Sequence, residues 1–421
     1  MRIYEDRFMK GEIMKASTFA KKIAWVFAFI YFASFITRIN FAAVMVEIIN
    51  KTGHTTDAIS PVLVGIAISY GLGQVINGWV GDKIKPQNLI LCGLIIATLM
   101  NFVLPVFSYS VPIMTTLWTI NGFAQAMIWP PIVKILVASP LSEEEYGYSV
   151  VRITSASTVA AILMYSVAPL LIKLLSWEWI FVICATIGLS ASIFWLVSKE
   201  KITASACFDM EGKTENSVPA PFKFPKEAVF PMVFIFFAIV CQGMVRDGIT
   251  SFSPNYISEV FNMSPEDGIA WSLPLAIFST VAIFIAGEVY KRFFKNEITC
   301  GMVLYLFALA FSLVLCALFD FNVVVVVICM TLLTGAIQGI GLMLITHVPK
   351  RFKKYGNIST ISGVINACTY LGSAIASFTV PAIASAFNWQ VAAGSWCAII
   401  VVGMACCLIA SKKWGKFINK D

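Results

Sequence analysis

Charge is scarce in this sequence. Asp, Glu, Lys and Arg make up 13% of its 421 residues, against 59% that are hydrophobic. Soluble globular chains carry about 25% charged residues, so a water-facing fold of this length is excluded. Histidine is scarcer still: His54 and His347 are the two present, too few for a His-based metal or catalytic centre. Cysteine occurs eleven times but never as CxxC. Nearly every cysteine lies inside an apolar stretch, which reads as packing rather than as disulfides or metal ligands. No nucleophile–base constellation is present, so an enzyme is not expected and no cofactor is implied. Long polar segments are also lacking, except one at about 199–226. There is no cleavable leader pattern, because the first apolar run starts near Ile23 after six basic residues and is too long and bulky for one.

What the chain does have is apolar runs of about twenty residues from end to end, the length a helix needs to cross a bilayer. Their continuity argues against a β-barrel, whose strands alternate apolar and polar with period two. Twelve runs can be placed, predicting an all-α membrane protein of two six-helix bundles. The expected division is a tail over 1–22, a first bundle over 23–198, a linker over 199–228, a second bundle over 229–411 and a tail over 412–421.

The net charge of +7 sits where a membrane chain places it. Of the thirty Lys and Arg residues, 25 fall on one side of the predicted spans and two, Lys51 and Lys173, on the other. That bias predicts a multi-pass protein of the cell membrane with both termini cytoplasmic. It also removes the case for nucleic acid as a partner. The tract Lys350–Lys354 lies beside the membrane, where it would touch anionic lipid. The remaining three basic residues are Arg38, Arg152 and Arg246.

The two halves repeat. NGFAQAMIW (121–129) matches TGAIQGIGL (334–342), aligning Gly122 and Gln125 with Gly335 and Gln338. Tyr146–Gly147 aligns with Tyr355–Gly356, Trp177 with Trp389, and Arg38 with Arg246, all at nearly one offset and in one order. Parallel six-helix repeats predict substrate binding near the bilayer midplane, with access alternating between the two sides.

Arg38 and Arg246 carry the functional signal. Each lies about fifteen residues or more into its run, roughly 22 Å at the helical rise. An arginine at such depth costs about 2.5–3.5 kcal/mol on insertion scales. A guanidinium fork suits phosphate or carboxylate, so one reading is an anion clamp. The other is that each arginine pairs with a buried carboxylate. Asp247 follows Arg246 but points about 100° away around a helix, and Glu47 is over two turns from Arg38.

The chain resembles the major facilitator superfamily, and within it the organophosphate:phosphate antiporter family. Arg38 in TRINFA and Arg246 in VRDGITSFSPNYI match the family's phosphoryl-binding arginines of spans 1 and 7. Gly78, Asp82, Lys83 and Pro86 fit its span 2–3 loop, where Asp82 and Lys83 either fix an inward gate through charge and helix-end contacts or form a purely structural turn. Gly122, Gln125, Trp129, Pro130 and Pro131 fit its span 4 segment, with Ala126 replacing a glycine. Tyr31 keeps a family tyrosine. Two positions depart: Ser157 stands where the family's glycerol-3-phosphate carriers have a histidine, and Ile39 where they have a lysine. The resemblance implies a secondary transporter of a small anionic metabolite, of sugar phosphate or glycerol phosphate type, with inorganic phosphate as counter-substrate. It points to Arg38, Arg246, Tyr31, Gln125, Trp129 and Ser157 as substrate-binding residues, and Tyr370, an amphipathic group in a span, is added as a further candidate.

Two arginines would leave the substrate-free carrier strongly cationic, which favours obligatory exchange of one anion for another. The rival is a proton- or sodium-coupled organic acid symporter, for which Asp247 is the coupling candidate. A sugar phosphate receptor is a further alternative, although the tails and linker are short for signalling. An exporter of apolar drugs would not need two buried arginines. Gln125, Trp129, Tyr70, Gln74, Gln338, Asn366 and Tyr370 are polar or amphipathic groups in spans that either line a cavity or bond helices together. Arg152, near the inner end of span 5, would meet a headgroup, a carboxylate or substrate. One twelve-span chain suffices, so a functional monomer in the bilayer is expected.

Overall fold

The computed structural model describes residues 2–54, 56–206, 224–263, 265–355 and 358–419. Among the described residues, twelve helices are long and apolar enough to cross a membrane. They are α1 (Thr18–Met45), α2 (Pro61–Lys83), α3 (Pro86–Phe107), α4 (Val111–Ala138), α5 (Glu144–Ile172), α6 (Trp177–Ile202), α7 (Lys226–Val260), α8 (Ala270–Phe293), α9 (Glu297–Ala317), α10 (Val323–Tyr355), α11 (Ile358–Ala386) and α12 (Trp389–Ile418). The all-α expectation and its twelve spans therefore hold. A helix satisfies every backbone polar group internally, which is what a lipid-facing segment requires.

The chain forms two compact units, Met1–Pro221 with Gly356–Gly363, and Phe222–Tyr355 with Val364–Asp421. In the first, α1 packs against α5 and α6, and α2 against α4. In the second, α7 packs against α12, and α8 against α10. The segment expected as a linker falls largely on 207–223, outside the described residues. Its flanks are helical: the helix of α6 runs on to Ala206 and that of α7 begins at Lys226.

Two segments expected as tails are helical as well. The helix of α1 extends from Arg2 to Thr52, and that of α12 to Asn419. The second extension has a packing cause. Trp414 and Phe417 are buried, with rings 6.1 and 5.8 Å from Phe352. The charged residues around them hid this apolar stripe from a hydropathy reading.

Close crossings repeat between the units. A Cβ on Gly122 of α4 would stand 2.6 Å from the Ile66 carbonyl oxygen of α2. A Cβ on Gly335 of α10 would stand 2.8 Å from the Phe278 ring of α8. The glycines aligned by the sequence repeat thus both sit at a close helix crossing, against backbone in the first half and against side chains in the second. Ala126 also has an explanation: it faces Gly73 of α2, whose missing Cβ leaves the room.

Candidate functional site

In the first unit, α1 is set rotationally by a buried polar seam. Ser34 donates to Gln125 Oε1, and Gln125 Nε2 donates to Thr37 Oγ1 at 3.0 Å and Asn121 Oδ1 at 3.4 Å. The Thr37 carbonyl accepts from Asn101 Nδ2 at 2.9 Å and Asn121 Nδ2 at 3.1 Å. Asn40 closes the seam by donating to Asn101 Oδ1 at 2.7 Å. Buried amides bonded in this way lock helices against one another. With Thr37 turned to α3 and α4, Arg38 lies about 100° further around the helix. Its Cζ stands 4.5 Å from the Phe35 ring and 4.6 Å from the Tyr70 ring of α2. Rings on a guanidinium face steady the cation, and its planar fork has the geometry that suits an oxyanion.

One turn before Ser34, the Tyr31 ring lies 5.3 Å from Trp129. Trp129 opens the second segment of α4, with prolines at its first positions, after a break near Ala126–Ile128. Its buried indole N–H has no hydrogen-bond partner among the described residues.

In the second unit, Arg246 of α7 meets α11. Arg246 Nε donates to Asp247 Oδ1 at 2.6 Å, and Nη2 to Asp247 Oδ2 at 3.0 Å and Ser373 Oγ at 3.3 Å. Its Cζ is 6.0 Å from the Tyr370 ring. The helices approach closely because Gly243 and Gly372 lack side chains. A Cβ on Gly243 would run into the Thr369 carbonyl, and one on Gly372 into the Val240 carbonyl.

This ion pair corrects the sequence expectation that Asp247 points away from Arg246. The 100° between neighbouring residues separates Cα–Cβ bonds. The long arginine stem bends back around the helix, and Ser373 holds the fork in place. The pair also changes the charge argument, because Asp247 offsets Arg246 and the strongly cationic substrate-free site expected from two arginines does not arise from these residues.

The turn after α2 is built around Asp82. Its carboxylate accepts from Ser359 N at 3.1 Å, Thr360 N at 2.7 Å and Thr360 Oγ1 at 2.6 Å, all in the opening turn of α11. A carboxylate at a helix N-terminus meets unpaired N–H groups and the positive end of the helix dipole. Lys134 of α4 stands 3.8 Å from Asp82 and donates to the Gly81 carbonyl at 2.6 Å. A Cβ on Gly78 would be 2.8 Å from the Ser359 carbonyl oxygen. Lys83 instead lies on the Trp79 ring, 3.3 Å from its centroid. Pro86 opens α3.

The structure thus sets Tyr31 beside Trp129 and Tyr370 beside Arg246. Gln125 has its amide engaged in the helix seam. Ser157 donates to the Thr154 carbonyl of its own helix at 2.7 Å. Sequence reasoning missed Phe35 and Ser373 and left Tyr70 undecided. Spacing could have flagged Phe35, three residues before Arg38 on one face, but nothing local marks Ser373.

The family model described as Major Facilitator Superfamily matches residues 27–377. A glycerol-3-phosphate transporter of Bacillus subtilis (strain 168) is 26% identical over 388 residues, covering 86% of this chain and 85% of its own. A protein of Cupriavidus necator named "Probable sulfoacetate transporter SauU" is 24% identical over 321 residues, covering 71% of this chain and 72% of its own. The solved structure of the transporter FucP superposes with a TM-score of 0.69 over 92% of this chain and 98% of that one, at 12% identity. That likeness concerns the fold alone. The matched span, the twelve helices and the distant kinship with organic anion carriers lead to one conclusion: the chain belongs to the Major Facilitator Superfamily, as a multi-pass secondary transporter of a small solute.

Proposed function

We propose that this transporter carries a small phosphorylated metabolite, of glycerol phosphate or sugar phosphate type, in exchange for inorganic phosphate by alternating access. The carrying observation is an arginine deep in α1 and another in α7, each against an aromatic ring of its own unit: Arg38 on Phe35 and Tyr70, Arg246 near Tyr370. The named glycerol-3-phosphate transporter, similar over most of both chains, supports the substrate class. In this reading Arg38 and Arg246 are the cationic ligands, and a phosphoryl group competes with Asp247 for the Arg246 fork. Tyr31, Trp129 and Tyr370 shape the surroundings, while Asp82 and Lys134 govern a gating turn. Both termini face the cytoplasm.

The test is exchange in proteoliposomes loaded with unlabelled phosphate and given labelled phosphate outside. Wild type exchanges only when loaded. Arg38→Lys and Arg246→Lys, which keep charge but lose the fork, lower exchange at least tenfold. Folded wild type that exchanges no phosphate would overturn the antiport reading.

A second reading is favoured by the Arg246–Asp247 ion pair. A carboxylate within a span, paired with an arginine, suits a proton-coupled carrier of an organic acid. Uptake of an organic acid driven by an imposed proton gradient, and lost in Asp247→Asn, would establish it.

A further inference from the structure

Arg152 is used by neither reading. It lies eight residues into α5, half-buried, with its Cζ 4.8 Å from the Trp25 ring of α1 and 4.8 Å from the Tyr148 ring. Among the described side chains it has no carboxylate or hydrogen-bond partner. A guanidinium with aromatic rings against it retains its N–H donors for a planar, bidentate match to a phosphate.

The surroundings are those of a bilayer surface. Trp25 is 58% exposed, and Trp and Tyr collect where headgroups meet hydrocarbon. Lys21 and Lys22 are exposed and stand four and three residues before Trp25, on its side of the helix. One turn beyond Trp25, away from the lysines, Phe29 meets Phe194 of α6 edge to face at 5.7 Å, and both rings are partly open to the outside. α1 therefore shows, between α5 and α6, a strip that is cationic at one end and apolar along the next turns. Glu144 is two turns from Arg152 on α5, about 12 Å by helical rise, beyond direct contact.

We propose that this strip is a binding site for an anionic phospholipid. Arg152 holds the lipid phosphate, Lys21 and Lys22 supply further positive charge, and an acyl chain lies along Phe29 and Phe194. Charge complementarity selects a lipid over a soluble anion, because the apolar strip continues from the cations into the hydrocarbon.

The experiment is native mass spectrometry of the purified full-length protein with phosphatidylglycerol or phosphatidylcholine of identical chains. Wild type retains phosphatidylglycerol about fivefold more, the scale expected for one cation near a charged headgroup. Arg152→Gln brings the two lipids to parity. Lys21→Gln/Lys22→Gln, on an exposed surface where folding is not at stake, lowers the preference severalfold. Equal retention by wild type, or a preference unchanged in the lysine variant, would overturn the site. Excess inorganic phosphate leaves the lipid bound; displacement by it would reassign the cluster to a soluble anion.

Discussion

Arg38 and Arg246 hold the same place in the repeat but differ in what surrounds them. Arg38 is seated on the Phe35 and Tyr70 rings, which steady the cation. Arg246 is held by Asp247 and Ser373, with side chains of Arg246 and Asp247 20% and 26% exposed. Asp247→Asn keeps the shape and removes the competing charge, while Ser373 still holds the fork. Under the exchange reading, phosphate then binds more tightly, with exchange retained. Equilibrium binding of labelled phosphate to the purified variant measures it. A folded variant that no longer binds phosphate would show that Asp247 positions Arg246 rather than competing for it. Tyr70→Ala removes a ring from Arg38 and lowers phosphate affinity several-fold, a loss on the scale of one cation–π contact; Tyr70→Phe keeps the ring face and stays near wild type.

The helices act through their crossings. Tyr370 and Ser373 reach Arg246 because α11 lies almost backbone to backbone on α7 at Gly243 and Gly372. Backbone cannot yield as a side-chain tip does, so an added methyl must part the helices. Gly372→Ala is expected to cost about 1–3 kcal/mol, as overpacking does, and to lower both Tm and anion affinity by withdrawing Ser373. Gly147 of α5 is the control, since a Cβ there meets nothing within 4 Å. Gly147→Ala leaves Tm unchanged or raises it slightly through helix propensity. Thermal unfolding in detergent with and without phosphate separates the two. Equal Tm for Gly372→Ala and wild type would mean that the crossing is loose and does not position Ser373.

At the scale of the whole molecule, what the sequence disclosed and what it concealed divide by range. Twelve spans were legible because each apolar run is a local property, and the repeat was legible because Gly122 and Gly335 keep one offset. Arg38 and Arg246 stood out because bilayer depth makes an arginine costly wherever its helix faces. The Asp247 pairing, the Ser373 contact and the burial of Trp414 and Phe417 were hidden, because they depend on rotamers and on which helix lies opposite. Orientation in the membrane is again a summed property of the chain. With 25 of thirty basic residues assigned to one side, the positive-inside bias predicts that this side is the cytoplasm. A membrane-impermeant maleimide applied to intact cells should label Lys51→Cys above the level given by the native cysteines. Lys354→Cys, in the tract after α10, should rise above that level only once the membrane is opened. The reverse pattern would invert the protein, and Arg152 with Lys21 and Lys22 would then face the outer leaflet. The two experiments are therefore linked: the leaflet that presents anionic lipid to Arg152 must be the one whose side keeps Lys354→Cys shielded in intact cells.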